Sequence, residues 1–545
     1  MQDIFKNNSA YQIYVKSFCD SNGDGIGDIN GIRSKLDYIK SLGVKYIWVT
    51  PFFCSPMNDN GYDVSDYRNV NPMFGTMQDC EKMISEADSL GLGFLFDMVF
   101  NHTSTEHEWF KKALDGDPVY QDYYLFRDGK EGQPPTEWVS SFGTNSWEYV
   151  PELGKFYFHL FDKSQADLNW NNPRVRAELK DIVKFWKDKG VKGFRFDVLN
   201  LISKPDNFFA DTPKSGRAVS FCKDGPKVHE FIRELVRDTG ISEMFTVGEM
   251  ASTDIENCIR YTRPENHELS MTFSFHHLKA DYKDGDKWSL MKPDLSKLHD
   301  IFSSWQEEMY SNGGWNALFW CNHDQPRIVS RMGDEGIYWK ESAKMLATFI
   351  HLLRGTPYVY QGEEIGMTNP HFTDISQYKD VESLNYYEIM LSNGMTKEEA
   401  LAVLDSKSRD NGRTPMQWTS GKNAGFSDSD GGTWIGIPES YKKINVEAQE
   451  NDPDSILNYY RQLIKLRFDY PVISDGSVKF LDTGNSNIFA YERRLKSQRL
   501  VVLCNFSGNE EKISNIDVKG EILIGNYSGS HKIMQPFEAL AILEK

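Results

Sequence analysis

Short apolar runs recur along the first two thirds of the chain, and amphipathic stretches separate them. Each run is rich in β-branched and aromatic residues and too short for a helix, which predicts a strand, whereas the stretches between them show helical periodicity. Strands that alternate with helices form parallel sheets, and eight such strands predict an α/β fold, a closed (β/α)8 TIM barrel. The predicted strands are residues 11–18, 45–50, 94–99, 193–198, 245–249, 270–275, 316–321 and 357–361.

Two segments interrupt this alternation. Residues 102–170 are polar, aromatic and punctuated by Gly and Pro, which predicts a small domain inserted after the third strand, over the mouth of the barrel. From about residue 471 the chain consists of short apolar runs between turn residues, which predicts a C-terminal antiparallel β-sandwich. We therefore expect a catalytic barrel at 1–101 and 171–470, an inserted domain at 102–170 and an all-β domain at 471–545.

Charge and cysteine content narrow the class of protein. With 61 basic and 79 acidic residues the net charge is −18, which argues against partners such as nucleic acid or an anionic membrane. The seven cysteines are an odd number without a CxxC pair, which predicts reduced thiols. Neither a signal-like N-terminus nor a bilayer-length apolar stretch is present. These features predict a cytoplasmic enzyme or binding protein, a monomer or weak homo-oligomer, with a small-molecule ligand.

Acidic side chains follow the apolar residues at the ends of several predicted strands. Asp97, Asp197, Glu249 and Asp324 occupy such positions. Barrel enzymes place catalytic groups at the carboxyl ends of their strands, so these four should meet at one mouth. Any one of them alone could merely cap the next helix, but four at equivalent places favour a site.

Paired carboxylates in an aromatic-rich cleft suit the cleavage of a glycosidic bond. Arg195 lies two residues before Asp197 and on the same face of its strand, so its charge should keep Asp197 ionised as a nucleophile. Glu249 has no cation within four residues in the sequence, which favours a raised pKa and an acid/base role. His102 and His323 could donate hydrogen bonds to sugar hydroxyls, although a single histidine is more often structural.

Four ordered motifs, DMVFNH (97–102), GFRFDVLN (193–200), VGEM (247–250) and NHD (322–324), resemble glycoside hydrolase family 13, the α-amylase family. The resemblance implies that Asp197 is the nucleophile, Glu249 the general acid/base and Asp324 a third carboxylate that holds sugar hydroxyls. It also implies a retaining mechanism through a covalent glucosyl intermediate, with the two catalytic carboxyl groups about 5 to 5.5 Å apart. The substrate-binding residues implied by the match are Tyr62, Asp63, His102, Arg195 and His323.

Two further motifs, QADLNW (165–170) and RDNGRTPMQW (409–418), resemble the oligo-1,6-glucosidase branch of this family. In that branch the arginines corresponding to Arg409 and Arg413 line or brace the substrate pocket. Val198, directly after the nucleophile, matches members that do not prefer α-1,4 bonds. The resemblance therefore argues against an ordinary amylase.

Within this branch, MTFSFHHLKADY (271–282) is most similar to members that hydrolyse α,α-trehalose 6-phosphate to glucose and glucose 6-phosphate. His276 and Lys279 replace acidic residues of relatives that act on neutral sugars, and a sugar phosphate substrate needs such donors. We expect His276, His277 and Lys279 to bind the phosphate, whereas Lys283 and Lys287 fit a solvated helix face better. The alternatives are an oligo-1,6-glucosidase or dextran glucosidase acting on isomaltose-type substrates, a sugar isomerase that shares the pocket, and a non-catalytic binding subunit.

The segment DSNGDGIGD (20–28) follows the first predicted strand and is similar to the first nine positions of an EF-hand. Its twelfth position is glycine, which excludes a full EF-hand, and an Asx-rich turn would give the same pattern. Relatives in the branch hold calcium in such a loop. The resemblance therefore implies a structural Ca2+ ion, with no organic cofactor, at Asp20, Asn22, Asp24, the carbonyl of Ile26, and Asp28.

Overall fold

A computed structural model describes residues 5–205, 215–516, 519–529 and 533–544. Eight parallel strands close into a barrel in chain order, since the first pairs with both the second and the eighth. The predicted TIM barrel is thus confirmed, and every predicted barrel strand overlaps an observed one. The barrel strands are β1 (Ala10–Ile13), β2 (Tyr46–Val49), β3 (Gly93–Met98), β4 (Gly193–Phe196), β5 (Phe245–Glu249), β6 (Met271–Phe273), β7 (Asn316–Leu318) and β8 (Thr356–Tyr360).

Helices follow the barrel strands. The helix from Pro173 shows why they form where they do: Asn172 accepts a hydrogen bond from the backbone N–H of Arg174, and the proline occupies the first turn, where its missing N–H costs nothing. The main helices are α1 (Ile29–Ser34), α2 (Leu36–Ser41), α3 (Met77–Ser89), α4 (Pro173–Asp188), α5 (Val228–Thr239), α6 (Ile255–Thr262), α7 (Leu295–Ser311), α8 (Trp339–His351), α9 (Val381–Ser392), α10 (Lys397–Lys407) and α11 (Ile456–Asp469).

The segment between β3 and α4 carries short strands of its own. His102–Ser104 pairs antiparallel with Gln165–Asp167, so both ends of this inserted segment are fastened together beside the barrel mouth. A three-stranded antiparallel sheet lies between them, formed by Phe126–Arg127, Lys155–Phe158 and Trp147–Val150.

The C-terminal region forms one five-stranded antiparallel sheet. Met534, from a two-stranded pair, packs on one face of this sheet against Ile488 and Val501, so the second layer of the predicted sandwich is small. The strand at 521–525 was not predicted from the sequence. The sheet contains β9 (Ser477–Leu481), β10 (Ile488–Leu495), β11 (Gln498–Asn505), β12 (Glu521–Gly525) and β13 (Ala539–Glu544).

Two acids lie buried directly after β8, away from the candidate catalytic carboxylates. Glu364 accepts hydrogen bonds from the hydroxyls of Tyr11 and Tyr38, at 2.6 and 2.8 Å. Glu363 accepts one from the hydroxyl of Tyr460 on α11, at 3.0 Å, and its other oxygen has no hydrogen-bond partner among the described residues. Burial raises the pKa of Glu363 to about 8 from an ordinary value of 4.5.

We expect Glu363→Gln to stabilise the protein at alkaline pH. The folded protein keeps the Glu363 proton up to about pH 8, whereas the unfolded chain loses it near 4.5, so the wild type loses stability as the pH rises between these values. The amide does not titrate and still accepts from Tyr460, so the gain should be on the order of 3 kcal/mol at pH 9 and small at pH 5. Thermal denaturation at both pH values, with the exposed Glu398→Gln as control, tests this; an equal effect at both would contradict it.

Candidate active site

The carboxyl ends of β3, β4, β5 and β7 bring the predicted acids to one mouth. Arg195 on β4 lies in register with Asp97 on β3 and with Val247 on β5. The next residue of the chain after β4 is Asp197, and Glu249 is the last residue of β5. Side chains two residues apart on a strand share a face, so Arg195 and Asp197 both point to the barrel axis.

Arg195 is the centre of this arrangement and is fully buried. Its Nη1 donates to Asp97 and to Asp197, at 2.6 Å in each case, and its Nη2 donates to Glu249. Asp97 also accepts hydrogen bonds from the Tyr62 hydroxyl and the Trp48 indole. Because Asp197 and Glu249 contact one guanidinium, their carboxyl groups lie close together, and retaining hydrolysis requires two neighbouring carboxyl groups.

Burial raises the pKa of Glu249 well above its usual range, against the opposing charge of Arg195 and with support from Asp197 and Asp324. The sequence argument predicted the raised pKa but assumed that no cation lay near. That assumption was wrong, because β4 and β5 are neighbours and bring Arg195 against Glu249. A protonated Glu249 beside Asp197 is the pairing of acid and nucleophile that glycosidases use.

Asp324 is held by a second set of basic side chains. Its Oδ1 lies 2.7 Å from Arg413 Nη2 and 3.4 Å from Arg409 Nη1, and its Oδ2 lies 3.1 Å from His323 Nε2. Burial opposes ionisation here, but His323 and the two arginines hold the pKa of Asp324 well below its usual value. Asp324 is therefore a fixed anion, able to accept hydrogen bonds from sugar hydroxyls.

Tyr62, His102 and His323 form an uncharged wall of the pocket. The rings of Tyr62 and His323 stack at 5.2 Å and are nearly parallel. The His102 ring nitrogen Nε2 lies 3.0 Å from the Tyr62 carbonyl. Burial lowers the pKa of both histidines, so they act as neutral hydrogen-bonding groups and leave the charge to the acids.

The structure places Asp63 differently from the prediction. Both of its oxygens accept hydrogen bonds from its own loop, from the Ser55 hydroxyl and from the backbone N–H groups of Asn58 and Asp59, so Asp63 braces the loop and does not reach the pocket. Asp59, in the same loop, instead contacts the residues of the site. Its Oδ1 accepts from Arg409 at 2.9 Å and its Oδ2 from Gln165 at 3.0 Å.

Sequence reasoning missed Asp59, Gln165 and Asp380 as parts of the site. Gln165 also lies 3.1 Å from His102 Nε2, so it links the inserted segment to the pocket wall. Its motif, QADLNW, pointed to a branch of the family but gave no role for the glutamine. Asp59 stands four residues before Asp63 in one acidic loop, and only the fold shows which of the two faces the arginines.

Val198, directly after Asp197, has a left-handed backbone with φ of 36°. A β-branched residue in this conformation is strained, by about 1 to 3 kcal/mol. The side chain is buried in a cluster whose other members include Trp138 and Phe158 of the inserted segment, and this packing holds the turn in place.

The three residues predicted to bind phosphate lie at or just before a short turn of 3-10 helix, His277–Asp281, after β6. His277 does not fit the role: it is buried among Phe302, Phe319 and Trp320, and burial lowers its pKa to about 3, so the ring is neutral and faces the apolar layer. The ring of His276 packs on Trp305, and burial lowers its pKa to about 4. His276 is therefore neutral as well, although only half-buried.

Lys279 belongs to a group of cations, the basic cluster, formed by Arg217, Lys223, Lys279 and Lys297. Burial, followed by the charges of Lys223, Arg217 and Lys297, lowers the pKa of Lys279. Lys297 Nζ donates to the Lys279 carbonyl at 2.9 Å. Three other cations thus lie close enough to act on Lys279, which makes this a suitable environment for an anion.

Residues 283–287 are not helical, so the prediction of a solvated helix face was wrong. Lys283 is exposed. Lys287 instead pairs with Glu382 at 2.7 Å, and Glu382 in turn lies 3.4 Å from Arg409 Nε.

The predicted metal loop is closed by its own hydrogen bonds. Asp20 accepts from the backbone N–H groups of residues 22, 23 and 25 and from the Ser427 hydroxyl, and Asp28 accepts from Ser21 and Gly31. In the described ranges no three His, Cys, Asp or Glu side chains gather as a metal site. These hydrogen bonds are those of an Asx-rich turn.

The alpha-amylase catalytic-domain family matches residues 12–476, which include all of these pocket residues. The chain belongs to this family, glycoside hydrolase family 13. It is 48% identical to trehalose-6-phosphate hydrolase of Bacillus subtilis over 98% of this chain and 97% of that protein. It is 45% identical to oligo-1,6-glucosidase of Parageobacillus thermoglucosidasius, over 96% and 94% of the two chains. The crystal structure of Bacillus licheniformis trehalose-6-phosphate hydrolase superposes with a TM-score of 0.93, at 49% identity and 99% coverage of both chains.

Proposed function

We propose that this glycoside hydrolase cleaves α,α-trehalose 6-phosphate to glucose and glucose 6-phosphate with retention of configuration. The basic cluster carries the phosphate part of the proposal, because it gathers four cations near the carboxyl end of β6 in a protein whose net charge is −18. The relatives named trehalose-6-phosphate hydrolase support the same substrate.

The geometry supports a double displacement. Asp197 attacks the anomeric carbon while Glu249, kept protonated by burial, gives its proton to the leaving oxygen. Water then hydrolyses the glucosyl ester as Glu249 accepts a proton back. Asp324, fixed by Arg413 and His323, accepts hydrogen bonds from sugar hydroxyls in both steps, and its negative charge stabilises the oxocarbenium-like transition state.

We expect Lys279→Ala to raise KM for trehalose 6-phosphate about tenfold or more, since a charge-assisted contact is worth about 1.5 to 3 kcal/mol. KM for 4-nitrophenyl α-glucoside, which carries no phosphate, should stay within twofold. Lys283→Ala is the matched control, because it removes an exposed lysine four residues along the chain and should change neither constant. Steady-state kinetics on both substrates tests this prediction. An equal loss on both substrates would contradict a role of Lys279 in phosphate binding.

The second candidate is an oligo-1,6-glucosidase acting on isomaltose-type ends, and the 45% identity to such an enzyme favours it over other activities. One preparation assayed on isomaltose and on trehalose 6-phosphate separates the two. A kcat/KM for isomaltose equal to or above that for the phosphorylated sugar would reject the phosphate proposal and leave the hydrolytic site intact.

A structural calcium ion at residues 20–28 is also part of the proposal, and the alternating oxygen side chains of this loop support it. Millimolar Ca2+ added to EDTA-treated protein should raise Tm by several degrees, because binding only the folded state stabilises it. Asp24→Ala should abolish that shift. If the shift is absent from the wild type, the loop is an Asx-rich turn.

No helix among the described residues combines the length and apolar character that crossing a bilayer requires. All seven cysteines are free thiols. Because free thiols are typical of a reducing compartment, we propose a cytoplasmic location. We also propose, as expected from the sequence, a monomer or weak homo-oligomer. Sedimentation of the purified chain measures this oligomeric state.

A further inference from the structure

Two like charges lie side by side in the pocket. Arg409 and Arg413 are both buried, and both contact the same oxygen of Asp324. Adjacent buried guanidinium groups repel each other, so a second anion is needed to hold both in place.

Asp380 is that anion. Its Oδ1 accepts hydrogen bonds from Arg409 Nε at 3.0 Å and from Arg413 Nη1 at 3.2 Å, on the side of the arginines that Asp324 leaves open. Its Oδ2 accepts from the backbone N–H and the hydroxyl of Ser383, at 3.1 and 2.9 Å. Asp380 is the N-cap of α9, so the start of this helix is tied to both arginines.

The location of Asp380 separates its role from that of a catalytic residue. It is 0% exposed and lies behind the arginines, so it has no surface to offer a sugar. Asp324, in contrast, keeps 27% of its side chain accessible. Whatever Asp380 does for the reaction must pass through Arg409 and Arg413 to Asp324.

We propose that Asp380 is a positioning residue for hydrolysis: it clamps Arg409 and Arg413 so that Asp324 is aimed at the sugar in the transition state. This inference rests on the proposed function, in which Asp324 assists glycosyl transfer. Without the clamp the arginines separate, and Asp324 follows them away from its working position.

The test is a double-mutant cycle on 4-nitrophenyl α-glucoside with Asp380→Asn, Asp324→Asn and both together. Asparagine caps helices as well as aspartate does, so α9 should persist while the charge of the clamp is lost. We expect Asp380→Asn to lower kcat about 30- to 100-fold with KM within threefold, and to change kcat less than threefold when Asp324 is already asparagine. The same fold-loss in both backgrounds would overturn the proposal.

Asp281→Asn is the matched control. Asp281 is a buried carboxylate between Arg331 and Lys407, at 2.6 and 2.7 Å, and contacts neither Asp324 nor its arginines in the structure. Its loss should lower Tm about as much as Asp380→Asn does and leave kcat on the aryl glucoside nearly unchanged. An equal fall of kcat in the control would mean that fold damage explains the effect.

If Asp380→Asn does not fold, Ser383→Ala replaces it, since this change removes only one donor to Asp380. It should lower kcat a few-fold in the wild type and not in the Asp324→Asn background; equal losses again overturn the proposal. Wild-type activity in Asp324→Asn itself would instead reject the role of Asp324, and with it the proposed site.

Discussion

Replacing Asp197 with alanine should lower kcat by about 10^4-fold or more, because no other group can form the covalent intermediate at that position. Asp197 is buried and held 2.6 Å from Arg195. The alanine variant therefore keeps Arg195 and opens a space where the carboxylate stood. Azide should enter this space and restore turnover of 4-nitrophenyl α-glucoside. It attacks from the face that the carboxylate occupied, so the product should be β-glucosyl azide. Retention of the α-configuration, or activity close to wild type, would reject Asp197 as nucleophile.

Glu249→Gln should lower kcat for trehalose 6-phosphate by about 10^3-fold, in line with the usual contribution of general acid catalysis. The loss should be much smaller for the first step on 4-nitrophenyl α-glucoside, because nitrophenolate leaves without a proton. Azide should again accelerate turnover, now by attacking the glucosyl intermediate, and should give α-glucosyl azide. The opposite anomers from the two variants distinguish nucleophile from acid/base within one set of measurements.

The same variant has a defined pH signature. The acid must be protonated for the first step, so wild-type activity falls as the pH rises through the Glu249 pKa, which burial raises well above its ordinary value. The glutamine side chain cannot titrate, so the alkaline fall should disappear from its kcat/KM profile. A profile with an unchanged alkaline limb would assign that limb to another group.

Much of the fold could be predicted from the sequence, because each barrel strand is a short apolar run bounded by polar residues. The strand at 521–525 was missed, although its sequence contains a run of three apolar residues, Ile522 to Ile524. The four candidate acids were found because they stand at or after the ends of predicted strands, and four acids at such equivalent places favour a site over helix caps.

Contacts between distant segments could not be predicted. Asp380 lies 56 residues after Asp324, and only the packing of α9 beside the barrel mouth places it behind the arginines. His277 was assigned to phosphate on residue type alone, yet the turn after β6 directs its ring into the apolar layer and leaves Lys279 among the cations. Which side of an irregular turn a side chain occupies is decided by tertiary packing.

The strained turn at Val198 has a consequence for how this enzyme can change through evolution. Val198 lies between Asp197 and the aromatic interior of the inserted segment, so a substitution at Trp138 or Phe158 should alter the support of Asp197 without changing a barrel residue. The inserted segment thus also influences the position of Asp197. We therefore expect substitutions of Trp138 or Phe158 to change kcat through Val198, and a second substitution at Val198 to compensate for them.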